Sequence, residues 1–111
     1  MIVERLEALC EVFHVVFFAY NDYPGWSFKR ESILRDALAN ACERVLGKKP
    51  GVTATHGGLE CGLFMEKIPG LECVSLGPDL LEVHSVRERL SISSTERLYR
   101  IVCCFLENWK A

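Results

Sequence analysis

The chain has 111 residues, of which 50% are hydrophobic and 25% charged, and its formal net charge is −2. This composition is typical of one folded domain with a modest core rather than of a disordered or fibrous chain. The balance of charge offers no basic field for nucleic acid. The longest apolar run, residues 15–20, is far shorter than the roughly 20 residues that span a bilayer. We therefore expect neither a nucleic-acid partner nor membrane insertion.

The N-terminal sequence has acidic residues at Glu4 and Glu7 and lacks the layout of a cleavable signal. This favours a cytoplasmic protein. The six cysteines are single or adjacent within apolar runs, and none forms a C-x-x-C pair typical of a structural zinc site. They are Cys10, Cys42, Cys61, Cys73, Cys103 and Cys104. We predict buried, reduced thiols that pack as small apolar side chains.

The first quarter of the chain predicts a helix, a strand and a turn. Apolar residues recur at helical spacing over residues 1–13, and residues 15–20 form a β-branched and aromatic run that favours a strand. Asn21-Asp22 and Pro24-Gly25 then indicate a turn. Because a lone helix and strand need partners, we expect the strand to pack on the core or to pair with another molecule.

The middle of the chain predicts alternating helices and strands. Residues 31–46 carry one apolar stripe and end at Gly47, a typical residue after a helix. Residues 52–55 predict a strand, residues 59–67 a helix and residues 71–76 a buried strand, followed by a polar loop. Two strands joined through a helix predict a parallel pair with a right-handed crossover.

The last helix is predicted to begin around Ser93, because Ser93 and Glu96 have the spacing of a capping box. Its apolar stripe indicates a core-facing helix, and consists of Leu98, Ile101, Val102, Phe105, Leu106 and Trp109. The predicted order α-β-α-β-α-β-α indicates a layered α/β or α+β domain.

Four short motifs carry a resemblance to a known family. H-G-G-L-E-C-G spans residues 56–62, S-L-G-P residues 75–78, H-S residues 84–85 and Y-P-G-W residues 23–26. In chain order, with Y-P-G-W first, they resemble the C-terminal part of aminoacyl-histidine (Xaa-His) dipeptidases, which are two-zinc metallopeptidases of the aminoacylase and carboxypeptidase G type. The resemblance covers nearly the whole chain, but only about the last quarter of such an enzyme.

The resemblance implies a domain organisation. Residues 1–26 would be the end of a lid domain, of the dimerisation type, that is inserted into the catalytic domain. Residues 27–111 would be the C-terminal portion of the catalytic domain. The implied fold class is α/β, a partial layered α/β/α fragment with short parallel strands, preceded by a helix-strand remnant of the lid.

The resemblance also implies site residues. His84 would bind one of two zinc ions, although by itself a histidine in a polar loop is usually only solvated. Gly57, Gly58, Glu60 and Gly62 would line the substrate pocket. The alternative for this loop is a tight turn into a helix, with Glu60 favoured at the helix N-terminus. Val86 stands where the family usually has proline, whereas Glu88 matches an acidic position.

This sequence lacks other residues on which catalysis in the resembling family depends. The chain has no H-x-D segment and no adjacent acidic pair, which supply further metal ligands and the general base in such enzymes. A catalytic zinc site needs about three protein ligands. We therefore expect that zinc is not held by this chain alone, that it is inactive on dipeptides by itself, and that it associates with itself or with the missing part of the enzyme. The alternative is a non-catalytic α/β interaction or self-association module.

Overall fold

The computed structural model describes residues 2–55 and 57–109, so His56 of the first motif lies outside the described residues. Along the described chain, four helices are accompanied by one pair of short strands. In order they are α1 (Ile2–Val12), α2 (Ile33–Leu46), α3 (Glu60–Lys67), β1 (Leu80–Leu81), β2 (Arg89–Leu90) and α4 (Ile92–Asn108). The mixed α/β character predicted from the sequence is confirmed.

Helix α2 confirms the predicted amphipathic helix and its end. It begins after Ser32, whose hydroxyl accepts a hydrogen bond from the backbone N–H of Arg35 at 3.1 Å. A serine at this position satisfies one of the free N–H groups of the first helical turn. Gly47 ends the helix in the left-handed conformation, with a φ of 72°. A residue with a Cβ would be strained there, which explains the glycine.

Helix α4 begins earlier than predicted. Its N-cap is Ser91, whose hydroxyl accepts from the N–H of Ser94 at 3.4 Å, so the predicted cap Ser93 already lies within the first turn. The helix begins there because of a contact with a distant part of the chain. The N–H of Ser91 donates to the carbonyl of Asp79 at 3.0 Å, which fixes Ser91 in extended backbone beside the preceding hairpin. Ser91, Ser93 and Ser94 were all able to cap the helix, and this contact selects Ser91.

The core lies between α2 and α4, which pack against each other. Within the described residues, the buried apolar side chains are Leu38 and Ala41 of α2 and Ile101 of α4. Arg44 of α2 donates a hydrogen bond of 2.7 Å to the side-chain oxygen of Asn108 on α4. The α4 stripe is therefore core-facing in part, since Leu106 at its C-terminal end is 63% exposed.

The predicted parallel strands are not confirmed. Residues 15–20, 52–55 and 71–76 are not hydrogen-bonded into strands in the described structure, and the sheet consists of β1 and β2. These two strands are antiparallel, with Leu80 opposite Leu90 and Leu81 opposite Arg89. A β-strand exists only where a neighbour supplies the ladder of hydrogen bonds, and the described chain places no such neighbour beside these apolar runs.

The N-terminal arm, residues 2–22, extends away from this core. Every residue of α1 except Cys10 is exposed, and the following run includes Val16, Phe18 and Tyr20 at 78%, 78% and 82% exposure. The radius of gyration is 19.0 Å, well above the roughly 13 Å of a compact domain of about 100 residues. No helix in the described residues is long and apolar enough to cross a membrane.

Candidate functional site

His84 lies at the tip of the β1–β2 hairpin. Its backbone is in the left-handed conformation, with a φ of 63°, and its N–H donates a hydrogen bond of 3.0 Å to a carboxylate oxygen of Glu88. A non-glycine residue in this conformation is uncommon, and the bond to Glu88 stabilises it. Glu88, which matches an acidic position of the resembling family, thus anchors the backbone of His84.

Glu82 organises the rest of the hairpin tip. Its carboxylate forms ion pairs with Arg87 and Arg89, each at 2.7 Å, and its carbonyl accepts from the N–H of Ser85 at 3.2 Å and from its hydroxyl at 2.7 Å. Asp79 joins the hairpin to α4, because its N–H donates to the buried Ser94 hydroxyl at 2.9 Å. The loop that carries His84 is therefore held by several independent contacts, while Val86 within it is fully exposed.

The His84 imidazole itself is exposed, and no other described residue forms a hydrogen bond or ion pair with it. Across residues 2–55 and 57–109 no group of three or more His, Cys, Asp or Glu side chains is placed to hold a metal ion. A zinc site needs about three such ligands. The described residues on their own therefore do not form a zinc site, and His84 supplies at most one ligand.

The loop of residues 57–62, here called the glycine loop, packs against the Y-P-G-W segment of residues 23–26. The N–H of Gly57 donates to the Thr55 hydroxyl at 3.2 Å. A Cβ on Gly58 would meet the ring of Tyr23 at 2.9 Å, and a Cβ on Gly62 would collide with the carbonyl oxygen of Pro24. Two motifs far apart in the sequence thus lie together, and Gly58 and Gly62 have a packing role that requires the absence of a side chain.

Glu60 is the first residue of α3 and is exposed. A carboxylate there interacts favourably with the N-terminal end of the helix dipole, as the alternative interpretation of the loop expected. Leu59 precedes it and provides no side-chain cap, while the N–H of Gly62 donates to the Leu59 carbonyl at 2.9 Å. The position at the start of α3 is thus sufficient to explain a glutamate at residue 60. Its contact with substrate stays a prediction.

A cleft of about 430 Å³, which no sequence pattern predicted, lies next to the glycine loop. It is lined by residues 26–29, by one side of α2, and by the two segments 51–55 and 72–76, which are outside helices and strands. Leu59 of the glycine loop reaches this cleft, but His84 and the loop glycines are not among its described lining residues. The structure therefore does not unite the predicted site residues in one pocket.

Glu72 is the charged residue of this cleft with the best-defined surroundings. Its carboxylate accepts hydrogen bonds from the Ser32 hydroxyl at 2.8 Å and from the N–H of Leu34 at 3.4 Å, and it lies 3.6 Å from the Lys29 ammonium. These contacts, first the hydroxyl of Ser32, lower the pKa of Glu72 below its ordinary value of 4.5. The residue is therefore ionised at neutral pH, which suits an anchor better than a proton donor.

All six cysteines are free and half-buried, so the expected reduced thiols are found but they are less buried than predicted. Cys61 of α3 lies beside Cys73 of the segment 71–76. Burial raises the pKa of the Cys61 thiol, and the neighbouring Cys73 raises that pKa further. A thiol with a raised pKa is a poor nucleophile at neutral pH, which agrees with a packing role.

The chain belongs to a known peptidase family. Residues 9–108 match the family described as peptidase family M20/M25/M40, which is nearly the whole chain and includes the hairpin, the glycine loop and the cleft.

Comparison with curated proteins gives a more specific similarity. Over 101 residues the chain is 30% identical to the cytosol non-specific dipeptidase of Escherichia coli (strain K12). This alignment covers 91% of the chain but 21% of the relative, so the chain spans about a fifth of the length of the curated relative it matches. The resemblance to dipeptidases of the M20 type is thereby confirmed at the level of the family.

Proposed function

We propose that this chain is the C-terminal portion of a zinc-dependent dipeptidase of the M20 type. The observation that carries the proposal is the motif around His84, which lies on a firmly held hairpin tip inside the family match over residues 9–108. In this proposal residues 1–26 are the end of a lid domain, and residues 27–111 are the C-terminal portion of the catalytic domain. The relative's name supports a cytoplasmic location.

His84 contributes one metal ligand in this proposal. Its imidazole is exposed, whereas its backbone is fixed by Glu88, so the side chain is available to a metal held from the other side. Peptidases of this family generally bind metal ions such as zinc, and imidazole nitrogen is a good zinc ligand. The remaining ligands and the general base come from a part of the enzyme outside these 111 residues. Alone, the chain is inactive.

The proposed substrates are dipeptides, and dipeptides ending in histidine are the narrower proposal. The glycine loop, with Gly57, Gly58, Glu60 and Gly62, is the segment of the chain proposed to face the substrate. Exposed Gly57 has no role in packing against Tyr23 or Pro24, so it is the loop glycine most available for a close approach of substrate to the backbone.

A chimeric enzyme tests the proposal. The region of the E. coli cytosol non-specific dipeptidase that matches this chain is replaced by residues 1–111, and zinc-dependent hydrolysis is measured on a panel of dipeptides with and without C-terminal histidine. We expect an active chimera whose activity falls by about a thousandfold or more in His84→Ala, since loss of a metal ligand removes the metal-assisted chemistry. Bound zinc, measured by elemental analysis, falls in the same variant.

His14 is the matched control, because it is an exposed histidine of the N-terminal arm. The His14→Ala chimera is expected to keep its zinc and its activity. An active chimera whose zinc content and rate are unchanged by His84→Ala would contradict the proposed role of His84. Hydrolysis of dipeptides by the isolated chain would contradict its proposed inactivity. A preference for substrates ending in histidine would favour the narrower specificity.

The second proposed function is a non-catalytic α/β interaction or self-association module that kept the fold but lost the metal site. The specific observation in its favour is the N-terminal arm, in which Val16, Phe18 and Tyr20 expose large apolar surfaces. Contiguous apolar surface of this kind is typical of an interface. Inactive but well-folded chimeras, together with a stable oligomer of the isolated chain, would favour this function over the first.

A further inference from the structure

Cys61 and Cys73 are two thiols that the fold places side by side. Cys61 lies in the first turn of α3, and Cys73 lies in the segment 72–76 that lines the cleft. Burial raises the pKa of the Cys61 thiol, and the charge and hydrogen bonding of Cys73 beside it raise that pKa further. Close approach of the two side chains is the geometric requirement for a disulfide.

The chain reverses direction between these two cysteines. Helix α3 is followed directly by a turn, in which the N–H of Leu71 donates to the carbonyl of Ile68 at 3.2 Å. The helix rises by about 9 Å from Cys61 to its C-terminal end. The residues between the turn and Cys73 span up to about 10 Å, so they are long enough to return Cys73 to the first turn of α3. The backbone therefore agrees with the contact between the thiols.

Both thiols are within reach of a small reagent. Each of the two cysteines is half-buried, and Cys73 also lines the cleft, which is large enough to admit a peroxide molecule. Thiols react with peroxides as thiolates. Because the pKa of Cys61 is raised, its thiolate is scarce at neutral pH. Cys73 is therefore the sulfur that we expect to meet the peroxide first.

We propose that Cys61 and Cys73 are a reversible oxidation site, at which a peroxide converts the two thiols into a disulfide in the wall of the cleft. The Cys73 thiolate attacks one peroxide oxygen and becomes a sulfenic acid, and the O–O bond breaks to release hydroxide. The Cys61 sulfur then attacks the sulfur of the sulfenic acid, so an S–S bond forms and the oxygen leaves as water with the Cys61 proton. In total the two thiols lose two hydrogen atoms, and hydrogen peroxide is reduced to two molecules of water.

The disulfide joins the glycine loop to a part of the cleft that is anchored on α2. Cys73 directly follows Glu72, whose carboxylate accepts a hydrogen bond from the Ser32 hydroxyl at the start of α2. A covalent bond that closes a loop restricts the unfolded chain, so the oxidised protein should unfold at a higher urea concentration than the reduced protein. The inference goes beyond both proposed functions and depends on neither.

Mass spectrometry of the full wild-type chain tests the pairing. The reduced chain is treated with a small excess of hydrogen peroxide, its remaining thiols are blocked with N-ethylmaleimide, and it is digested with trypsin without reduction. Trypsin cleaves after Lys67, so the two cysteines lie on separate peptides. We expect the first linkage to join Cys61 and Cys73, with a mass about 2 Da below the sum of the reduced peptides. A first linkage between other cysteines, or no linkage at all, would overturn the inference.

Single substitutions test the roles of the two sulfur atoms. In Cys61→Ser the sulfenic acid on Cys73 has no neighbouring thiol to remove it, so dimedone, which traps sulfenic acids, should label Cys73 about fivefold more than in wild type. Cys42→Ser is the matched control, because Cys42 lines the same cleft and burial raises its pKa as well. This variant should form the linkage at the wild-type rate.

Urea unfolding before and after oxidation gives a second measurement. Treatment with peroxide should raise the midpoint of wild type and of Cys42→Ser, and it should leave the midpoint of Cys73→Ser unchanged. The inference is refuted by dimedone labelling of Cys73 that does not increase in Cys61→Ser. It is also refuted by an oxidised wild-type chain that unfolds at the same urea concentration as the reduced chain, since the linkage would then not belong to the folded structure.

Discussion

Ser32 and Glu72 join two distant parts of the chain through a hydrogen bond of 2.8 Å between the serine hydroxyl and the glutamate carboxylate. Ser32 is at the same time the N-cap of α2, and Glu72 also accepts from the N–H of Leu34 in the first turn. The buried hydroxyl of Ser32 therefore connects the start of a core helix to the segment 72–76 that lines the cleft. The contact positions the cleft relative to the core between α2 and α4.

Replacing Glu72 by glutamine should lower the free energy of unfolding at neutral pH. The pKa of Glu72 is lowered in the folded chain, chiefly by the Ser32 hydroxyl, so its ionised form stabilises the fold. That contribution is complete above its ordinary pKa of 4.5 and disappears as the pH falls through the lower folded value. Urea denaturation across the acid range should show the difference between wild type and Glu72→Gln narrowing as the pH falls.

Glu96→Gln is the control for this measurement, because Glu96 is an exposed residue of α4. Its variant should reproduce the wild-type curve to within about 0.5 kcal/mol at neutral pH. A difference between Glu72→Gln and wild type that is the same at neutral and acid pH would show that the carboxylate charge does not act in the proposed way.

Gly62→Ala should destabilise the chain, although alanine is normally favoured over glycine within a helix by about 1 kcal/mol. The added Cβ would collide with the carbonyl oxygen of Pro24, which is backbone and cannot move aside alone. We expect a loss of about 1–3 kcal/mol, measured by thermal or chemical unfolding. Gly77→Ala is matched to it, since a Cβ there meets no atom within 4 Å, and it should be close to neutral.

The N-terminal cap of α4 predicts different effects on stability for substitutions at Ser91 and Ser93. Ser91→Ala should cost about 1 kcal/mol, because it removes the hydroxyl that accepts from the N–H of Ser94. Ser93→Ala should change the free energy of unfolding by less than about 0.5 kcal/mol, since its hydroxyl does not cap the helix. Equal costs at the two positions, or a larger cost at Ser93, would favour the start of the helix that the sequence predicted.

The Cys61 thiol should alkylate faster when its neighbour is removed. Burial and then the adjacent Cys73 raise the pKa of Cys61, so Cys73→Ala leaves burial in place and lowers that pKa. A larger thiolate fraction reacts faster with iodoacetamide at mildly alkaline pH. Peptide mass spectrometry follows the rate at Cys61 alone, and the rate at Cys10 on the N-terminal arm serves as the internal reference. An unchanged ratio of the two rates would show that Cys73 does not influence Cys61.

Much of the helical structure was predictable because its signals are local. The apolar stripe of α2, its stop at Gly47 and the helix over Glu60–Lys67 follow from residues that interact within a few positions of each other. The strands were not predictable in the same way. Residues 52–55 and 71–76 have the composition of strands, but a strand needs a neighbour at a distant place in the chain, and composition does not specify that neighbour.

The site shows the same division. The motifs around Gly57 and His84 predicted a relationship to dipeptidases, which the family match confirms, yet the sequence placed His84 in a plain polar loop. The structure places it on a hairpin in which Glu82 forms ion pairs with Arg87 and Arg89. The cleft was missed because its lining comes from stretches that are separated in the sequence, and no local pattern indicates that they meet.

The sequence by itself determined the family, the helices and the candidate ligand His84. Periodicity, capping residues and short motifs involve residues that are close together in the chain, so they can be recognised without the fold. Only the tertiary structure decided which serine caps α4 and why Gly58 and Gly62 have no side chain. It also decided that the predicted strands 15–20, 52–55 and 71–76 are not hydrogen-bonded into a sheet within the described residues. Those outcomes depend on contacts between Tyr23 and the glycine loop and between Ser32 and Glu72, which are far apart in the chain. Such contacts form only when the whole chain packs, since each is stabilised by the elements that hold its two partners in place.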